Sequence, residues 1–170
     1  MRTDMISCQT TRQMALKAFL PLFNRPRHAS GVHYGVRGPR RGTSSSELWL
    51  VPSRKNGGLM PCESEPERIF CWQLENDPHI DVYRAQPISI EAAPGSSYTP
   101  DFIARDDRHR YSFHEIKHAH MHAKRHYAEL RPVRHLLRRL GFSFYVWYPK
   151  KNYRFTTKNF QLECFGSESC

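Results

Sequence analysis

The stretch "YTPDFIARDDRHRYSFHEIK", Tyr98–Lys117, decides how this chain is read. Two runs rich in strand-forming residues, 98–105 and 110–118, flank the charged tip "DDRH". Such a pattern predicts a hairpin. One arm carries Pro100-Asp101 and the other Glu115-Ile116-Lys117. Side chains alternate along a strand, so Glu115 and Lys117 share a face. If the register matches, Asp101 sits beside Glu115. Two clustered carboxylates repel, and a core built only for stability avoids them. A hard divalent cation relieves that repulsion. Mg²⁺ takes oxygen ligands, keeps several waters, and suits one or two carboxylates plus phosphate oxygens. Asp101 and Glu115 are therefore candidate metal ligands. Lys117 is the candidate catalytic amine, placed to orient or deprotonate a water or to stabilise charge on a phosphate. A surface ladder of ion pairs is the plainer reading of the same three residues.

Upstream, the sequence predicts a helix that begins at Ser64. Ser64 suits the N-cap, Pro66 the first turn, and Glu67 stands three residues after the cap, as in a capping box. Ile69, Phe70, Trp72 and Leu74 give it apolar surface, and Asp77-Pro78 ends it. Its first turn supplies a third candidate carboxylate: Glu67 first, Glu63 second. Residues 47–53 read as a short strand, 54–58 as a turn, and 79–92 as one strand or two. Downstream, 120–140 reads as a helix with Pro132 as a kink or break. Gly141 stops it, and 142–149 is an aromatic strand whose Phe144, Tyr145 and Trp147 are expected in the core. The order helix, strand, strand, strand, helix, strand predicts an α/β domain around a central mixed sheet.

The first 46 residues read as an N-terminal basic arm, with a short helix over 14–23 and a Gly-, Pro-, Ser- and Arg-rich loop over 24–46. Residues 47–165 form the folded domain and 166–170 a tail. Lys and Arg number 26 against 16 Asp and Glu, a formal net charge of +10. That balance favours a polyanion, nucleic acid first. Arg37, Arg40 and Arg41 in the loop, and Lys124 and Arg125 near the downstream helix, are candidate DNA contacts. The loop also reads as a solvated linker. Arg131, Arg134, Arg138 and Arg139 spread over a polar helix surface, with phosphate contact and plain solvation both open. His118, His122 and His126 fall at helical spacing and fit a basic, DNA-facing surface better than a zinc site. Five scattered cysteines form no CxxC pair, so reduced thiols are expected. No apolar run reaches the roughly 18 to 20 residues of a membrane span. "MALKAFLPLF" (14–23) carries Lys17 and Pro21 and fits a short amphipathic helix better than a signal peptide. A cytoplasmic protein is the expectation.

The spacing of Pro100-Asp101 and Glu115-Ile116-Lys117 resembles the PD-(D/E)XK nuclease signature. The wider run resembles the catalytic domain of TnsA-like endonucleases, the nuclease subunits of heteromeric transposases. The residues that carry the likeness are Ser64, Glu67, Asp77-Pro78, Val82, Gln86-Pro87, Pro100-Asp101-Phe102 and Glu115-Ile116-Lys117, with "TTKNFQL" (156–162) at the end. It covers about residues 50 to 163. The resemblance implies a restriction-endonuclease-like α/β/α core. It implies Mg²⁺-dependent DNA cleavage, with Mn²⁺ as a substitute, at Asp101, Glu115, Glu67 and Lys117. It further implies cutting of the 5′ ends of a transposon while an integrase-type transposase processes the 3′ ends. Family members often carry a second, C-terminal domain that engages a regulatory ATPase, and this chain is short for one, which leaves that partner open. A stand-alone restriction or repair nuclease, and a non-catalytic DNA-binding subunit of the same fold, are the alternatives.

Overall fold

The computed structural model describes residues 5–25, 27–36, 48–117 and 127–148. In chain order these form β1 (Met5–Ser7), α1 (Arg12–Asn24), β2 (Trp49–Ser53), β3 (Gly58–Cys62), α2 (Glu65–Asn76), β4 (Ile80–Ala85), β5 (Ser89–Ala93), β6 (Ser96–Tyr98), β7 (Phe102–Asp106), β8 (Tyr111–Ile116), α3 (Arg131–Arg139) and β9 (Ser143–Trp147). The central sheet has the order β4-β7-β8-β9. Its first three strands pair antiparallel, and β9 joins β8 in parallel. A parallel neighbour needs a crossover, and α3 lies on it. The protein is therefore α/β, with helices on both faces of a mixed sheet.

Alternation along the strands sorts the core into two layers. Ile103, Tyr111 and Phe113 face Phe19 and Leu22 of α1, Leu136 and Leu137 of α3, and Ile6 and Ile90 of the small sheet β1-β5-β6. Tyr83, Phe102, Ala104 and Ile116 face Phe70, Cys71 and Leu74 of α2, with Val51 and Met60 of the β2-β3 hairpin. Phe19 is fully buried, and its ring lies 5.4 Å from Tyr111, 5.3 Å from Phe113 and 5.0 Å from Phe142. The segment read as an arm thus contributes α1 and β1 to the main core.

Residues 79–92, read as one strand or two, form two strands in different sheets. The switch is at Gln86, a non-glycine with φ of 42°. Its N–H donates to the Asp101 carbonyl at 2.8 Å and its carbonyl accepts from the Val36 N–H at 2.9 Å. Gly35 permits that approach, since a Cβ there would stand 2.3 Å from the Gln86 oxygen. Gly58, expected as the end of a turn, instead opens β3, which pairs with β2 in the register Val51↔Met60. Val32, inside the loop expected over 24–46, bridges to Leu59 and is buried.

α3 begins at Arg131 with Pro132 in its first turn, where a missing N–H costs nothing, so this proline starts a helix. Gly141 ends it in the left-handed region, φ 76°. β9 lies at the sheet edge among the described strands. Phe144 and Trp147 are partly buried as expected, but Tyr145 is half exposed and stacks on His114 at 5.5 Å. Among the described residues no helix is long and apolar enough to cross a membrane.

Candidate active site

The site starts with the cap of α2. Ser64 has extended backbone, φ −153° and ψ 157°, and its Oγ accepts from the Glu67 N–H at 3.3 Å. The Ser64 hydroxyl in turn donates to Glu67 Oε1 at 3.0 Å. Glu67 Oε2 accepts from the Glu63 N–H at 2.8 Å, one residue before the position a standard capping box uses. The cap fixes a half-buried carboxylate at the start of the helix.

The hairpin supplies the rest. The pairs Phe102↔His114 and Ile103↔Phe113 set the register of β7 on β8. Continued one step, that register brings Asp101 to Glu115. Asp101 Oδ2 accepts from the Ile116 N–H at 2.7 Å, which ties the carboxylate to β8. Glu115 is buried, with only 5% of its surface exposed. Its Oε1 pairs with the Lys117 ammonium, and its Oε2 accepts from the Tyr98 hydroxyl. Lys117 follows the strand directly, and its N–H donates to the Trp147 carbonyl at 2.9 Å, so β9 holds it. Tyr98 ends β6 in the other sheet, and its ring packs 6.2 Å from Phe144.

The charges of these groups act on one another. Burial, then the charges of Glu115 and Glu67, push Asp101 up to about 8, against the Ile116 N–H and Lys117. Asp101 keeps part of its surface in solvent, yet its carboxyl is crowded by protein and acidic neighbours. Burial is also the largest influence on Glu67 and raises it; Glu63 and Glu115 add to the rise, while the Glu63 N–H and Ser64 hydroxyl oppose it. Burial pulls Lys117 down, but its hydrogen bond to Glu115 and the charges of Glu115, Asp101 and Glu129 leave it raised and protonated. Asp101 and Glu115 thus share the Lys117 ammonium in a partly desolvated place.

The structure brings Asp101, Glu115 and Lys117 together at the end of the hairpin. The charge of Glu67 reaches Asp101 from the start of α2. Among the described residues no three His, Cys, Asp or Glu side chains converge tightly enough to hold an ion as they stand. Glu115 is turned to Lys117 and Tyr98, and Asp101 to the Ile116 N–H. Arg37, Arg40, Arg41, Lys124 and Arg125 lie outside the described residues, as do His118, His122 and His126. Cys62 and Cys71 are buried free thiols and Cys8 is an exposed one. Tyr98 was missed by sequence reasoning. It sits three residues before Asp101, but only the pairing of β6 with β5 turns it toward Glu115. No family model matches the chain, and no curated protein matches it significantly.

Proposed function

We propose that the protein is a Mg²⁺-dependent DNA endonuclease with a restriction-endonuclease-like core. The observation that carries this reading is the placing of Asp101, Glu115 and Lys117 at one end of the β7-β8 hairpin, with the charge of Glu67 acting on Asp101 from the preceding helix. The element order α2-β4-β7-β8-α3-β9, with β8 and β9 parallel, supports the same core. The donor set suits a hard divalent ion. It is all carboxylate oxygen, and burial together with the charges of Glu115 and Glu67 holds Asp101 up at about 8.

Asp101 and Glu115 would hold Mg²⁺ or Mn²⁺, with Glu67 a further ligand directly or through water. When bound, the ion supplies Lewis-acid polarisation of the scissile phosphate and a more acidic water. Lys117 keeps its proton beside Glu115 and offers an ammonium to position the attacking water or to neutralise charge on the phosphate. Tyr98 holds one oxygen of Glu115 through its hydroxyl, which fixes the carboxylate's orientation.

The likeness to TnsA-like endonucleases supports a narrower job. The protein cuts the 5′ ends of a transposon beside an integrase-type transposase that processes the 3′ ends. A regulatory ATPase is a further candidate partner. Cleavage then needs the transposase, since an unregulated cutter damages its host. Asp101→Ala and Glu115→Ala each abolish cutting of a transposon-end substrate with transposase supplied, and both proteins still melt cooperatively. Near-normal cutting by either contradicts the assignment.

A further inference from the structure

The α3 helix carries a second, unassigned feature. Val133, Leu136, Leu137 and Leu140 are buried on one side. Arg131, Arg134, His135 and Arg138 follow the spacing i, i+3, i+4, i+7, so they form one stripe on the other. The stripe borders an open groove of about 870 Å³ between α3 and the edge strand β9. No Asp or Glu among the described residues lines it. An ordinary solvated surface intersperses both signs of charge; the described residues that line this groove carry positive charge alone.

Two contacts set its cations in place. The Arg134 guanidinium lies 3.8 Å from the centre of the Tyr127 ring. Arg139 Nη2 donates to the Cys8 carbonyl at 2.6 Å. Tyr127 remains 53% exposed, so a ring held by an arginine still offers open aromatic surface to the groove. Basic side chains interleaved with an exposed aromatic are what a single nucleic-acid strand needs, phosphates on the cations and a base on the ring. One ring links the groove to the candidate active site. Phe144 lines the groove and packs against Tyr98, whose hydroxyl donates to Glu115.

We infer that the α3–β9 groove binds one strand of DNA, with Arg131, Arg134 and Arg138 on its phosphates and Tyr127 beneath a base. The strand's being the substrate rests on the nuclease reading; the binding itself does not. The test is fluorescence anisotropy with the full chain in EDTA, where cutting is silent. The probes are a labelled single strand of roughly 20 nucleotides and the matching duplex. Replacing Arg131, Arg134 and Arg138 together by Gln removes about three phosphate contacts at a slope of about −0.7 each for single strands. The expected result is a log–log salt slope flatter by about 2 and affinity about 100-fold weaker near 0.1 M salt. Lys at the same three positions keeps the slope. Gln at Lys17, Arg54 and Arg108, three exposed cations away from the groove, leaves it unchanged. Arg131→Gln alone flattens it by about 0.7, so the outcome does not hang on the triple variant's folding. Tyr127→Ala weakens single-strand binding more than duplex binding. Equal slopes for the groove and control variants overturn the inference and leave the nuclease reading intact. Binding lost in the groove variants of a protein that never cuts DNA does the reverse.

Discussion

Strand β8 presents one face in two halves. Tyr111 and Phe113 meet Phe19 and Phe142 in a ring cluster with centroid spacings of 5.0 to 6.4 Å. Two positions further on, Glu115 and Lys117 occupy the same side of the strand. There a buried carboxylate is held by an ammonium and a phenol, and burial, then the charge of that carboxylate, raises the proton affinity of the neighbouring Asp101. The first half is explained by packing. The second is not, because clustering charge in a desolvated place costs stability. Perturbed carboxylates at the end of a strand support the proposed active site.

Substitutions in the two halves separate these roles. Phe19→Ala empties the ring cluster and lowers the unfolding free energy by about 3–5 kcal/mol, measured by urea denaturation. Asp101→Asn keeps an acceptor for the Ile116 N–H and removes one of the clustered charges. It leaves stability at pH 8 equal to or above that of the wild type. A loss there as large as that of Phe19→Ala would make Asp101 a structural residue.

The pH dependence sharpens the contrast. Asp101 in the folded chain holds its proton up to about 8, against an ordinary value of 3.8. The folded state binds more protons than the unfolded between these values. Its stability is therefore fully present below about pH 4 as far as this group is concerned, and declines as pH rises toward 8. In EDTA the wild type loses more than about 1 kcal/mol over that span relative to Asp101→Asn. Mg²⁺ or Mn²⁺ at pH 8 restores it. Parallel pH profiles for the two proteins would remove the charge cluster from the account.

The smallest effect belongs to Tyr98. Tyr98→Phe keeps the ring on Phe144 and removes one hydrogen bond to Glu115. One such bond contributes about 1 kcal/mol, so single-turnover cutting slows about 5-fold with little change in melting temperature. Wild-type rates would mean that Lys117 alone orients Glu115.

What was legible in the sequence is what local chemistry decides. Ser64 and Glu67 announce the start of α2, because a cap is made within a few residues. Glu115 and Lys117 announce a shared face, because strand alternation is fixed by the backbone. The order of α2, β4, β7, β8, α3 and β9 follows from periodicity and turn residues. Partners far apart in the chain were not legible. β1 pairs with β5 across more than eighty residues, and nothing in "MIS" names that partner. β3 contains Pro61, which weakens its signal as a strand, yet the hairpin forms around "RKNGG" and buries Met60. Phe19 reads as one face of a short amphipathic helix, and only the fold shows that face meeting Phe113. The hydroxyl of Tyr98 reaches Glu115 because a strand of one sheet leans on another, a relation no spacing encodes.

The most direct test of the central claim is single-turnover cleavage by Lys117→Ala. It is run on a transposon-end duplex with transposase and Mg²⁺ present, with metal loading followed by calorimetry. The account predicts a folded protein that binds Mg²⁺ and DNA as the wild type does and does not cut, whereas Asp101→Ala loses the metal. Lys117→Ala cutting at close to the wild-type rate would contradict it, and would leave the end of β8 as a ladder of ion pairs.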